Sequence, residues 1–254
     1  MLIEQPAFLQ PFFTECFSLT PLLGGLSNTS YHLQTLAQNS KSYFVKEFGC
    51  QYQQFGNDGE REGRLQTHAA TLGIAPHVHF HDQQGLITDW VTGSHLAAAA
   101  QNQPDNIIRL ALLLSRLHSY NIDDYELDLK QRLGHYYQQI QPAYKTARLQ
   151  QQLSHCYDII EHHLAKQRLG FCHHDVNPLN LLQCSNGELC LLDWEFAAKG
   201  HCDFDLATLL QTFNWSKPET ELFLQHYNRA MQQNKNQYKN VEIKQLDYML
   251  VVVE

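Results

Sequence analysis

Residues 171–195 read FCHHDVNPLNLLQCSNGELCLLDWE, and within them Asn186-Gly187 marks a turn. Asn-Gly is the dipeptide most strongly tied to a two-residue β-hairpin, because both central positions of that turn need φ > 0. Its flanks, Leu179 to Cys184 and Glu188 to Asp193, are mostly apolar and read as two short antiparallel strands. With Asn186 and Gly187 as the turn, the register sets Asn180 directly opposite Asp193 on one face, with Cβ atoms roughly 4.5–5.5 Å apart. Asp175 precedes Asn180 in a loop that contains Pro178. Two facing oxygen-bearing side chains with a carboxylate beside them suit a hard divalent cation such as Mg²⁺.

Outward from that hairpin, a chain of 254 residues has room for one large domain or two small lobes. A hydrophobic content of 43% with 17% charged residues is that of an ordinary soluble globular protein. The formal charge of −8 argues against nucleic acid or an anionic membrane surface as the main partner and is compatible with a cationic substrate. No apolar run approaches the ~20 residues of a membrane span. The start, MLIEQPAFLQPFF, lacks the basic region and small-residue cleavage site of a secretory signal. Seven cysteines without a CxxC spacing read as reduced thiols in a cytoplasmic protein. His77, His79 and His81 alternate with Val78 and Phe80, so the apolar pair is expected to face a core and the histidines water, without zinc.

The first ninety residues read mainly as strands, among them Ser30 to Leu36 and Ser42 to Phe48, followed by a helix from about Glu60 to Leu72 with Gly73 as its C-terminal cap. From Gly93 onward the pattern turns helical, with apolar stripes at Ile107–Leu117, Leu129–Ile140, Leu149–Leu164, Leu206–Phe213 and Phe223–Tyr227. The expected class is α+β, a small antiparallel-sheet N-terminal lobe over residues 1–93 and a larger helical lobe over 94–254, with the boundary at Thr92-Gly93-Ser94. The apolar ending LDYMLVVVE (246–254) calls for some cover.

Lys46 lies in YFVKEF between Phe44 and Phe48 on one strand face, and a buried lysine is costly unless paired. Glu62 begins the helix face continued by Leu65, Ala69 and Leu72, so it too points inward, with Glu60 as the alternative. Gly24-Gly25-Leu26-Ser27-Asn28 lies between two strands, where glycine allows close backbone approach and N–H groups with the Ser27 hydroxyl suit phosphate oxygens. An ordinary hairpin loop would use the same residues.

Taken together, His173-x-Asp175-x-x-x-x-Asn180, Leu192-Asp193, the Lys46 and Glu62 pair, GGLSNxxY and Asp205-Leu206-Ala207 resemble the protein-kinase-like phosphotransferases. Asp193-Trp194-Glu195-Phe196-Ala197 in place of Asp-Phe-Gly points to the branch of choline, ethanolamine and thiamine kinases and aminoglycoside phosphotransferases. The resemblance implies an ATP- and Mg²⁺-dependent enzyme in which Asp175 orients the acceptor hydroxyl and takes its proton. Asn180 and Asp193 would ligate Mg²⁺, Lys46 would hold the α- and β-phosphates, and Glu62 would orient Lys46. Gly25, Ser27 and Asn28 would cover the phosphates, and main-chain groups of Asp89, Trp90 and Val91 would meet adenine. The Asp205 carboxylate would brace the catalytic loop or cap a helix, while Leu117-His118 reads as packing. Gly200-His201 departs from the Gly-Asp that relatives often carry.

The implied acceptor is a small molecule, a cationic alcohol such as choline, ethanolamine or thiamine, with Trp194, Glu195, Trp215 and Tyr227 walling its site by cation–π and carboxylate attraction. Two other readings stay open: an antibiotic phosphotransferase of the aminoglycoside type, and a nucleotide-binding pseudokinase.

Overall fold

The computed structural model describes residues 6–14, 16–23, 28–50, 52–53, 56–96, 98–164, 169–234, 240–243 and 246. The chain forms two compact units, residues 1–93 with 190–195, and residues 94–189 with 196–254. The expected phosphate loop positions Gly25 and Ser27, and all of the ending after Leu246, lie outside the described residues.

In the first unit, strands β1 (Phe17–Pro21), β2 (Asn28–Thr35) and β3 (Ser42–Phe48) lead to helix α1 (Gly59–Thr71), then β4 (Val78–His81) and β5 (Gly85–Asp89). Among the described residues these strands make a five-stranded antiparallel sheet of order β1-β2-β3-β5-β4. Alternation along β3 separates two environments. Val45 joins Phe8, Leu9, Tyr31, Leu33 and Ile87 in an apolar core, where Phe8 also stacks on Phe80 with ring centroids 5.9 Å apart. Lys46 turns to the other face. Asp58 starts α1 by accepting the N–H groups of Glu60 and Arg61, and Gly73, at φ 69, ends it. Beyond it, the N–H of Ile74 bonds Ala69 O and that of Gly73 bonds Ala70 O, closing the last turn. Around β4, His79 Nε2 lies 2.6 Å from Asp89 Oδ1 and His77, just before the strand, packs edge-on against His79, whereas His81 Nδ1 is buried without a hydrogen-bond partner.

The second part of the chain runs through β6 (Gly93–His95), α2 (Ala98–Gln101), α3 (Pro104–Ser119), α4 (Leu129–Gln139) and α5 (Ala147–Ile159). Strands β7 (Leu169–Cys172), β8 (Leu181–Cys184), β9 (Leu189–Leu191) and β10 (Ala198–His201) follow, then α6 (Cys202–Phe213) and α7 (Lys217–Asn234). Pro104 opens α3 at its first position, where its missing N–H costs nothing. The stripe Ile107, Leu110, Ala111, Leu114 and Leu117 is fully buried. β7 and β10 pair antiparallel, Cys172 opposite Ala198 and Gly170 opposite Gly200. No helix among the described residues is long and apolar enough to cross a membrane.

The turn after β8 corrects the sequence reading. Gly187 N–H bonds Cys184 O and Cys184 N–H bonds Glu188 O, so the loop holds three residues, Ser185, Asn186 and Gly187. Gly187 alone takes positive φ (84), while Asn186 is absent from the left-handed residues and instead accepts the Glu188 N–H on its side chain at 3.0 Å. This is a type I turn closed by a glycine bulge, the common three-residue alternative to the two-residue turn. Cys184 therefore pairs with Glu188 and the register shifts by one residue. The facing of Asn180 and Asp193 inferred from a two-residue turn loses its basis.

Gly63 shows how tightly α1 lies on β4: a Cβ built there would fall 2.2 Å from His81 Cβ. Gly63→Ala should therefore destabilise the protein by about 2 kcal/mol through overpacking. Urea unfolding of the variant checks it, and an unchanged midpoint would contradict the packing described.

Candidate active site

Lys46 is buried, and its ammonium is surrounded by acids. Nζ lies 2.9 Å from Glu62 Oε1 and 3.2 Å from Oε2, 2.7 Å from Asp193 Oδ1 and 3.6 Å from Glu195 Oε2. Phe48 and Tyr52 add ring faces with centroids 5.8 and 5.5 Å from Nζ. Burial alone would lower the lysine's pKa, but Glu62, Asp193 and Glu195 outweigh it and the net shift is upward. Sequence reasoning missed Tyr52. It stacks on Phe48 at 4.5 Å, and its hydroxyl donates to Glu62 Oε2, filling the oxygen of Glu62 that turns away from the shorter lysine contact. No periodicity marks Tyr52, because it sits in an irregular loop.

The segment that brings Asp193 and Glu195 to Lys46 is anchored on the first unit by the Leu191 N–H, 2.8 Å from Ile74 O. Trp194, between the two acids, is fully buried, with its indole N–H 3.1 Å from Leu191 O. It is a core anchor and presents no face to an acceptor, contrary to expectation. Asp193 adopts φ 61, a left-handed backbone that costs a non-glycine residue of order 1 kcal/mol and recurs at functional sites. Glu195 faces Lys46 rather than an acceptor pocket. Burial, opposed by Lys46 and reinforced by Asp193 and Glu62, pushes its pKa up to about 7.

In the second unit, the loop after β7 carries Asp175. Asn177, another residue that sequence reasoning passed over, accepts the N–H groups of Leu179 and Asn180 and donates to Asp175 Oδ1 at 2.9 Å. Its Asn-Pro context was the available signal. Asn180 Nδ2 donates to Asp175 Oδ2 at 2.7 Å and to the Asp175 carbonyl at 3.0 Å. One amide thus orients each carboxylate oxygen, while Asn180 Oδ1 accepts no hydrogen bond among the described residues. A hard oxygen of that kind is a donor type that Mg²⁺ takes.

The loop backbone is clamped by Asp205, in the first turn of α6. Its Oδ2 accepts the His173 N–H at 2.8 Å and its Oδ1 the His174 N–H at 2.7 Å. The N-cap position belongs to His201, so Asp205 braces the loop without capping the helix. His118 Nε2 approaches Asp205 Oδ2 at 3.1 Å, and His118 Nδ1 lies 2.7 Å from the Tyr227 hydroxyl. Burial would raise the Asp205 pKa, but the His118 hydrogen bond and the neighbouring histidines bring it down to about 2. His118 is therefore more than packing. A histidine inside an apolar stripe is itself a signal, since buried polar atoms need partners. His118, Cys172 and Cys202 bring ligand atoms within 4.8 Å of one another, yet both His118 nitrogens already serve the brace, and a metal there would break it.

The remaining candidates fall as follows. Tyr227 is fully buried and stacked on Phe223 at 5.9 Å, so it cannot wall an acceptor. Trp215 packs between Phe213 and Phe223, with centroids 5.2 and 5.3 Å away, and is half-buried. The amides of Asp89 and Trp90 are taken by His77 O and Ser42 O within the sheet, so those two N–H groups are not available to adenine; carbonyls and the Val91 position remain. Asn28 Oδ1 accepts the Gly49 N–H at 3.2 Å.

With the geometry in place, three comparisons bear on the chain. The profile of the phosphotransferase enzyme family matches residues 18–240. A thiamine kinase of Shigella flexneri serotype 5b is 27% identical over 211 residues, spanning 82% of this chain and 71% of that one. A LicA homolog of Mycoplasma capricolum is 25% identical over 158 residues; the match spans 61% of this chain and 62% of that relative, under two thirds of its length. Among solved structures, the choline kinase LicA of Streptococcus pneumoniae superposes with a TM-score of 0.78 at 18% identity, covering 97% of this chain and 84% of that one. At that identity the likeness speaks for fold alone: α+β and protein-kinase-like.

His174, held at φ 63 beside Asp175, yields a pH prediction. Its Nδ1 bonds Phe196 O at 3.2 Å, and its Nε2 is buried without a partner against Gly200, where a Cβ would fall 2.4 Å away. Burial lowers its pKa from 6.5 to about 4. A base whose folded pKa is depressed destabilises the fold as pH falls below the unfolded value. Between pH 7 and 4 the wild type should lose roughly 3 kcal/mol through this residue. His174→Asn, which tolerates positive φ and does not titrate, should remove that loss in urea unfolding across the same range; parallel wild-type and variant profiles would refute it.

Proposed function

The chain belongs to the phosphotransferase enzyme family, and from that premise we propose that it transfers the γ-phosphoryl group of ATP to the hydroxyl of a small cationic alcohol of the choline, ethanolamine or thiamine class. The observation that carries the reading is the held carboxylate of Asp175, aimed by Asn177 and Asn180 on a loop clamped by Asp205. Such a group suits a reaction in which the acceptor oxygen bonds to phosphorus, the bond to ADP breaks, and the hydroxyl proton passes to Asp175.

Lys46 is assigned to the α- and β-phosphates, and Glu62, locked by Tyr52, orients it. Three carboxylates converge on one ammonium, and this excess of negative charge favours a divalent cation beside it. Asn180 and Asp193 are the proposed Mg²⁺ ligands. When bound, Mg²⁺ would offset charge on the phosphate oxygens.

The acceptor class is supported by the names of the curated relatives and by Trp215 as the remaining aromatic candidate. Glu195 is reassigned to the charge cluster at Lys46. Coupled ADP release should be fastest with one of choline, ethanolamine or thiamine among a set that includes kanamycin and a serine peptide. Preference for kanamycin would replace this reading with the antibiotic one.

Asp193→Ala should abolish Mg²⁺-dependent turnover in a folded protein, and wild-type activity would sink its assignment. Asp175→Asn should leave ATP binding near normal and lower kcat by about 10²-fold or more. An unchanged kcat would remove Asp175 from the chemistry.

A further inference from the structure

We propose that His118 and Tyr227 are positioning residues for phosphoryl transfer, acting through Asp205 on the backbone that aims Asp175. The inference rests on the assignment of Asp175 above. All three groups are fully buried, on α3, α7 and α6 respectively. Tyr227 Oη lies 2.7 Å from His118 Nδ1, His118 Nε2 lies 3.1 Å from Asp205 Oδ2, and Asp205 accepts the consecutive His173 and His174 amides at 2.8 and 2.7 Å. The chain ends one residue before Asp175, whose own N–H lies 3.3 Å from His173 Nδ1.

Chemistry fixes the direction of this chain. An ionised carboxylate only accepts, so His118 Nε2 carries a hydrogen and donates to Asp205. In the neutral imidazole, His118 Nδ1 is then a lone pair that accepts the Tyr227 O–H. Removing that O–H deletes a buried hydrogen bond to the imidazole and loosens its hold on Asp205. The clamp has a specific load to hold, because His174 sits at φ 63, a backbone state that a non-glycine residue leaves when it is released. Ring packing asks only for an aromatic at 227, since the contact with Phe223 is a parallel stack; the hydroxyl is the part that reaches the loop's brace.

Tyr227→Phe keeps the ring and deletes the donor. The His173 and His174 amides should exchange with solvent about tenfold faster, the scale of one lost buried hydrogen bond, while amides in the middle of α3 keep their protection. With the acceptor that the substrate set identifies, kcat should fall about tenfold at unchanged KM for ATP, the mark of a misaimed group and not of lost binding. Unchanged exchange overturns the proposal, and so does faster exchange with wild-type kcat, which would leave only a structural brace. Should the variant fail to fold, ¹⁵N NMR of the wild-type imidazole decides: Nε2 protonated with Nδ1 bare is expected, and the reverse tautomer overturns the chain. If no acceptor is turned over, the functional reading fails while the exchange and tautomer measurements still judge the chain.

Discussion

A carboxylate sealed from water governs the second unit. Asp205 has no solvent exposure, and an ion so placed costs several kcal/mol unless its lone pairs are filled. Three donors fill them: two consecutive amides of one loop and the imidazole of a helix that lies 87 residues earlier in the chain. Each donor is thereby fixed in turn. The loop accepts a left-handed residue at His174, the imidazole turns its Nε2 to the carboxylate, and Asp175 takes its direction from a backbone that is not free to relax. The aim of Asp175 is thus a property of the helical unit as a whole.

The charge cluster at Lys46 follows the same electrostatics to a different end. Glu62 and Lys46, buried on facing elements, complete one another, and Tyr52 seals the far oxygen of the glutamate. Asp193 and Glu195 then add carboxylates that a single ammonium cannot neutralise. Burial, against the pull of Lys46 and with Asp193 and Glu62 adding to it, pushes the Glu195 pKa up to about 7. A balanced cluster such as that of Asp205 holds a fold together, whereas an unbalanced one is prepared for a ligand that brings opposite charge. Asp193 adds backbone strain to the imbalance, while fully buried Trp194 anchors it from between the two acids.

Where the local code is simple, the sequence spoke clearly. The strand Ser42–Phe48 and the start of α3 at Pro104 follow from alternation and from proline's missing donor. An inward Lys46 and an inward Glu62 were legible because each sits at a core-facing phase of its own element and neither can be buried alone. The turn at Gly187 was legible as a turn but misread in length, because a two-residue and a three-residue loop both use Asn-Gly and differ only in whether Asn186 adopts positive φ. The aromatic candidates were misread for a related reason. Composition marks Trp194 and Tyr227 as large and partly polar, but whether such a ring faces a cavity or a core depends on elements remote in the chain.

Residue types and short-range spacing were enough, unaided, to establish the class of fold, the strand carrying Lys46, the helix carrying Glu62 and the loop holding Asp175 and Asn180, because period, turn chemistry and the cost of burying charge act over a few residues. Three-dimensional packing alone settled the one-residue register of the hairpin, the loss of the Asp89 and Trp90 amides to neighbouring strands, and the joining of Leu117-His118 to Asp205 and Tyr227. These depend on which distant donors and acceptors meet, and a buried polar group takes its partner from whatever the completed fold brings within about 3 Å.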